Sequence, residues 1–386
     1  MADRISTVRR SADAPTVRTQ LGLLADLAGI WDGHGFNLIA RPDFHDGANL
    51  YLQLNQTHEH LTIDPIGSPI PNRGFGQDDI ELFGLSYLQK IHDASTGGAL
   101  HFEPGLWITQ PPTTFPPEPV VVAGTQLVAR MGTIPHGNSL LAQGVAEQFT
   151  GTPTLSLPPA QYAFSRFPSF NSTPFPTPPT APTAAPILNA AGSSEKLTAT
   201  AAAVPPFTEY DLNIAEGAAN PRTPFGTTEP ALPTAINGIS MQTVVNDPIT
   251  LLQQVIQQQV AHGHKFQGVA LNIATQVPIT FFTNPNSARG GPTVNVSVPD
   301  AGGGVENIPF LLGNQTPAPP QANAQTALVY ATFWIEKVTH PNRRPFDQLQ
   351  YAQMVILNFP ILKALPRVVD IGWPHVSVAT LRRTFG

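Results

Sequence analysis

From residue 49 onward the chain alternates. In "NLYLQLNQ", Leu50, Leu52 and Leu54 fall on one face of an extended strand, and Tyr51, Gln53 and Asn55 on the other. Further strand-like runs cover 79–91, 98–108, 120–131 and 138–149 at hairpin spacing, then 266–275, 292–298, 326–338, 347–359 and 374–382. "ALVYATFWIEKV" and "QLQYAQMVILNF" are the longest and most apolar of them. Helical periodicity is confined to two places. "TQLGLLADLA" (19–28) puts Leu21, Leu24 and Leu27 roughly on one side. "DPITLLQQVIQQQVAHG" (247–263) carries an apolar stripe of Ile249, Leu252, Val255, Ile256 and Val260. Asp247 is a suitable N-cap there, Pro248 suits the first helical position and Gly263 is a natural stop. The pattern predicts a mainly β protein: a single closed antiparallel β-barrel of about ten to twelve strands with one or two short helices.

One stretch interrupts the pattern. Residues 151–235 hold 16 prolines, and the first fifty of them carry only three charged side chains. Composition alone would make this a linker. Phe164, Phe167, Phe170 and Phe175 argue instead for an extended, ordered insertion packed on the barrel or on a neighbouring subunit. The predicted organisation is a flexible tail (1–15), the N-terminal part of the barrel (16–150), the Pro-rich insertion (151–242), and a helix with the C-terminal strands that complete the barrel (243–386).

The chain has 386 residues, only 12% of them charged, and a net charge of −6. Without a basic run it is not expected to bind nucleic acid or a membrane surface. The absence of cysteine excludes disulfides and thiolate ligands. The N-terminal residues lack an apolar core of signal-peptide length, and no run approaches membrane-spanning length, so a cytoplasmic location is the expectation.

Two strand segments carry unusual side chains. In "GALHFEPGLW" (98–107), His101, Glu103 and Trp107 share one face, which is either a polar outer surface or the wall of a pocket. In "GIWDGHG" (29–35), Gly29, Trp31, Gly33 and Gly35 share a face, so another chain segment can approach closely around one packed indole. "THEHL" puts His58 and His60 on one strand face. Metal-binding cupin-type barrels do this too, but without a Glu and a third His at matching spacing a solvated face is the simpler reading. "AHGHK" (261–265) reads as a helix C-terminus, where histidines suit the dipole.

Gly-x-Trp-x-Gly-x-Gly shortly after an N-terminal Leu-x-x-Leu-x-Gly, with the strand "GGALHFEPGLW" and the C-terminal "HVSVATLRR" after a strand bearing "LQY", resembles the nitrobindins, haem-binding β-barrels of fatty-acid-binding-protein and lipocalin-like shape. The likeness covers about 29–110 and 326–386, in the same order, so this chain would be an enlarged relative. The resemblance implies haem b as cofactor, His375 as the axial iron ligand, and His101 as the pocket histidine acting on the bound ligand. It also implies Trp31 and Leu100 as cofactor-binding positions; Leu100 stands where the family has Met. The activity implied is that of a haem-dependent peroxynitrite isomerase that also binds nitric oxide. Read on their residues alone, His375 could equally be a packed strand histidine beside Trp373, and His101 one that bonds a neighbouring strand. Two other classes of function stay open: a haem-free barrel carrying an apolar small molecule, and an assembly protein whose Pro-rich arm packs on neighbours. The expected partner is a small-molecule ligand, with a homo-oligomer left open.

Overall fold

Ten strands close into one antiparallel barrel. They are β1 (Gly29–Asp43), β2 (Ala48–Pro65), β3 (Gly84–Asp93), β4 (Ala99–Thr109), β5 (Thr125–Ile134), β6 (Asn138–Thr150), β7 (Lys265–Ala274), β8 (Gln325–His340), β9 (Arg343–Ile361) and β10 (Val369–Thr384). The computed structural model describes residues 12–43, 48–72, 79–109, 124–134, 138–155, 210–213, 222–223, 233–274, 304–307, 325–361 and 369–384. Each strand pairs with the next in chain order, and β10 returns to β1 from Ile30 opposite Thr384 to Ile39 opposite His375. Closure leaves none of the ten as a free edge. The expected strand at 292–298 and the four phenylalanines of the insertion lie outside the described residues.

The N-terminal segment seals one end. Helix α1 (Ala14–Leu21) begins inside the stretch expected to be a tail, because Asp13 caps it by accepting the Thr16 N–H. A 3-10 turn, Gly22–Leu27, then brings Leu24 and Leu27 into the inner core beside Trp31. The Trp31 indole N–H donates to the Leu27 carbonyl at 2.8 Å. The side chain of Gln126 accepts from the Leu23 N–H and donates to the Leu21 carbonyl. This end is packed with Trp31, Leu61, Ile63, Leu85, Leu349 and Leu381.

A second core lies outside the barrel. Helices α2 (Met241–Asn246) and α3 (Thr250–Ala261) cover the outer wall from β7 through β10 to β2. Here the apolar alternation points outward: Phe36, Leu38, Leu52, Leu54, Trp334, Met354, Val376 and Val378 are buried against Met241, Val244, Val245, Leu252 and Ile256. Regular helix begins at Thr250, three residues after the expected cap, yet the Asp247 carboxylate still accepts the Ile249 N–H. A polar link also holds α3 down. Gln259 donates to Gln348 at 2.7 Å, and Gln348 donates to Glu336 at 2.5 Å. Among the described residues no helix is long and apolar enough to cross a membrane.

Because α3 is held by packing, Leu252→Ala should cost about 3 kcal/mol in urea unfolding. Val260→Ala, at a 43% exposed position on the same helix, should stay within about 0.5 kcal/mol. Equal effects of the two would contradict the outer core.

Candidate functional site

The register assigns the barrel's inner face. Gly35, Thr57 and Glu59 meet there: a Cβ added at Gly35 would lie 2.8 Å from both Thr57 Oγ1 and Glu59 Oε1. Alternation then turns Asn37, Asn55, Ser377 and His375 inward. On β4 it turns His101, Glu103 and Trp107 inward, so the face they share lines the barrel.

A polar layer crosses the middle of the interior. Glu103 is fully buried and receives Arg130 Nη2 at 2.7 Å, together with a very short bond from the Tyr87 hydroxyl. Arg130 also donates to Tyr87 at 3.1 Å and to Gln353 at 2.7 Å. Its guanidinium lies 5.2 Å from the Phe333 ring centre. Burial by itself would raise the Glu103 carboxyl, but the Arg130 charge and the bonds from His101 and Tyr87 outweigh it and hold the group at about 2. Glu103 is therefore ionised and can only accept. It follows that His101, whose Nε2 is 3.1 Å from Glu103 Oε2, carries its proton on Nε2. Gly132 makes room for this group, since a Cβ there would stand 2.6 Å from the Tyr87 hydroxyl.

The second carboxylate behaves oppositely. Burial pushes Glu59 up, opposed by bonds from Tyr351 at 2.6 Å, Thr57 at 2.9 Å and Gln89 at 3.3 Å. Two buried glutamates, one paired with Arg130 and one with neutral donors only, thus sit in one interior with separated acidities.

Beyond this layer the wall reverses its exposure. Asn37, Ile39, Gln53, Gln353, Val355, Ser377 and His375 face inward and are only half-buried. Their outward-facing neighbours Phe36, Leu38, Leu52, Met354, Val376 and Val378 are fully covered by the outer core. The barrel is therefore accessible from within at the end opposite α1. His375 stands in this mouth. Its Nε2 is buried and without a partner, while the ring holds a hydrogen bond to the Ala40 backbone. Burial pulls the imidazole down to about 4, and the nearby Arg41 charge adds to that, against the Ala40 bond. His375 is therefore neutral, with a bare ring nitrogen turned to the interior.

The four residues singled out in the sequence do not form one cluster. His375 and His101 both face the interior, from β10 and β4. Trp31 sits at the sealed end, opposite Arg383, eight residues along β10 from His375. Leu100 alternates away from His101, onto the outer face of β4, because a strand cannot turn adjacent side chains inward. His58 and His60 lie on the solvated outer wall, their side chains 44% and 43% exposed, with Asp32 between them at 3.1 and 3.3 Å. Among the described residues no group of three or more His, Cys, Asp or Glu is arranged to hold a metal ion. Sequence reading missed Glu59 and Arg130, whose neighbours in sequence give no sign that Glu59 meets Tyr351 and Gln89, or Arg130 meets Glu103, across the interior.

No family model matches the chain, and no curated protein matches it. Among solved structures it is similar to the crystal structure of Rv2717c from M. tuberculosis, with 10% identity, a TM-score of 0.30, and coverage of 95% of this chain and 98% of that one. At that score the likeness carries no weight for fold or function; the barrel rests on its strand pairings.

Glu103→Gln strands the Arg130 charge in the interior and should cost about 3–5 kcal/mol at neutral pH. The folded Glu103 lies at about 2, below the ordinary 4.5 expected when unfolded. The unfolded chain therefore binds more protons in that window, and the contribution is full above about 4.5 and lost as pH falls towards 2. Urea unfolding across pH should show this slope in the wild type and lose it in Glu103→Gln.

Proposed function

We propose that this protein is a haem-b-binding barrel of nitrobindin type, in which His375 would hold the iron. The observation that carries the reading is the Nε2 of His375: neutral, buried, unpartnered and on the inner wall. The donor chemistry fits. A histidine ligand to a metal usually donates its other ring N–H to a carbonyl or carboxylate, which fixes tautomer and orientation. The bond to the Ala40 backbone has that form, leaving Nε2 as the ligating atom. A single imidazole would be enough for haem, whose macrocycle would supply the remaining nitrogen ligands, so a cage of several protein ligands is not needed. Bound haem would supply an iron centre able to take up nitric oxide and to convert peroxynitrite to nitrate.

The chain's own part is to hold, shield and position. The outer core stiffens β10, on which His375 is mounted, through Val376 and Val378. His101 faces the same interior from β4, and Glu103 fixes its tautomer, so it holds its position while a proton is taken up or released. Glu103 and Arg130 compensate each other and keep the polar layer beneath the mouth dry of unpaired charge.

Haem titration of the purified protein should give a Soret band at one haem per chain. His375→Ala should abolish it while far-ultraviolet circular dichroism stays unchanged, because a truncated strand imidazole breaks no backbone pairing. His101→Ala should keep the band and alter nitric oxide dissociation. No Soret band, or an unaltered one in His375→Ala, overturns the reading.

A further inference from the structure

The inner wall of the mouth holds more unpartnered acceptors than His375 alone. Asn55 is 8% exposed and its Oδ1 meets no donor. The orientation of this amide is fixed from its other side: Nδ2 donates to Asp93 Oδ2 at 3.1 Å. Asp93 already accepts the backbone N–H groups of Ser95 and Thr96 at 2.9 and 2.8 Å, so it acts here as an acceptor. Turning the amide over would set one oxygen against another. Asn37 stands directly opposite Asn55 on the neighbouring strand. Its Nδ2 donates to Ser377 Oγ at 2.7 Å, and its Oδ1 is likewise buried without a partner. Ser377 is in turn opposite Asn37, two residues along β10 from His375.

Three adjacent strands, β10, β1 and β2, thus carry on their inner face the Nε2 of His375 and two amide oxygens, all three buried and unpartnered, beside the half-buried side chains of the mouth. The buried and unpartnered side-chain atoms of Gln254, Glu336, Gln350 and Arg383 lie elsewhere, under the outer helices or at the sealed end. A buried acceptor left unmade is destabilising, so two on neighbouring strands mark a place built for a donor. Haem offers no donor to them, because its ionised carboxylates only accept.

We propose that Asn37, Asn55 and Ser377 form a binding subsite for a small organic molecule that presents O–H or N–H donors, such as an alcohol or amine head group. The proposal rests on the reading of the barrel mouth as a ligand site, and it is independent of iron ligation. The asparagine oxygens accept from the head group; Asp93 fixes the Asn55 amide with its oxygen toward it, and Asn37 turns its oxygen the same way while its Nδ2 donates to Ser377.

The test uses two probes of similar shape, benzyl alcohol and benzyl methyl ether, titrated into ¹⁵N-labelled full-length protein with the Asn37 and Asn55 side-chain amides assigned. The alcohol should bind at least about fivefold more tightly than the ether and shift both amides, a preference in keeping with one or two neutral hydrogen bonds. Asn55→Leu should remove the preference. Asn37→Val, which suits a strand, gives the same reading if the first variant fails to fold. Equal binding of the two probes, binding of neither, or a preference that survives in the folded variant overturns the proposal. Haem titration of the same samples keeps the two ideas apart. A Soret band without alcohol preference removes only the subsite, and alcohol preference without a Soret band removes only the haem.

Discussion

The covering of the barrel's outer wall governs the rest of the structure. In an ordinary small barrel the inner face is the core and the outer face meets water. Here α2 and α3 bury the outer face of six adjacent strands, β7 through β10 and on to β2. The stability of those strands no longer depends on filling the interior above the polar layer. The interior there can be lined by Asn37, Asn55, Gln353, Ser377 and His375 without loss of the fold. Where no helix covers the wall, as on β4, the outer face is exposed, and Phe102 is 42% accessible.

Within the barrel the interior divides by depth. Leucines, Ile63 and Trp31 seal it beneath α1 and the 3-10 turn. Above them Glu103, Arg130, Tyr87 and Glu59 form a satisfied polar layer, in which removing one partner strands a buried charge. Above that, polar atoms remain without partners. The order from filled to satisfied to unsatisfied runs along the barrel axis, with the unsatisfied groups nearest the mouth.

Much of this was legible in the sequence. The alternation in 49–56, the apolar runs in β8 and β9, and the Gly-x-Trp-x-Gly-x-Gly strand led to a closed antiparallel barrel, with β1 beside β10. The shared face of His101, Glu103 and Trp107 followed from period two alone, although only the pairing with β3 and β5 showed that it looks inward. What alternation cannot say is which face is inside. Leu52 and Leu54 would be assigned to the interior of a barrel by their hydrophobicity; they face outward because residues 241–261, some 190 positions later, cover them. The pairing of Glu103 with Arg130 and the grouping of Asn37 with Asn55 depend on register between strands, which local sequence does not encode. Leu100 shows the opposite limit: a position carried over from a family motif lies on the wrong side of the strand from its neighbour.

The claim at the centre of this account is that His375 is neutral and holds a bare, buried ring nitrogen on the inner wall of the barrel. Two-bond ¹H–¹⁵N correlation of histidine-labelled, ligand-free protein at about pH 6 tests it most directly, since it reports which ring nitrogen carries the proton. The account predicts a neutral His375 ring protonated at Nδ1, with an unprotonated Nε2. A ring protonated at Nε2, or a doubly protonated imidazolium at that pH, would contradict it.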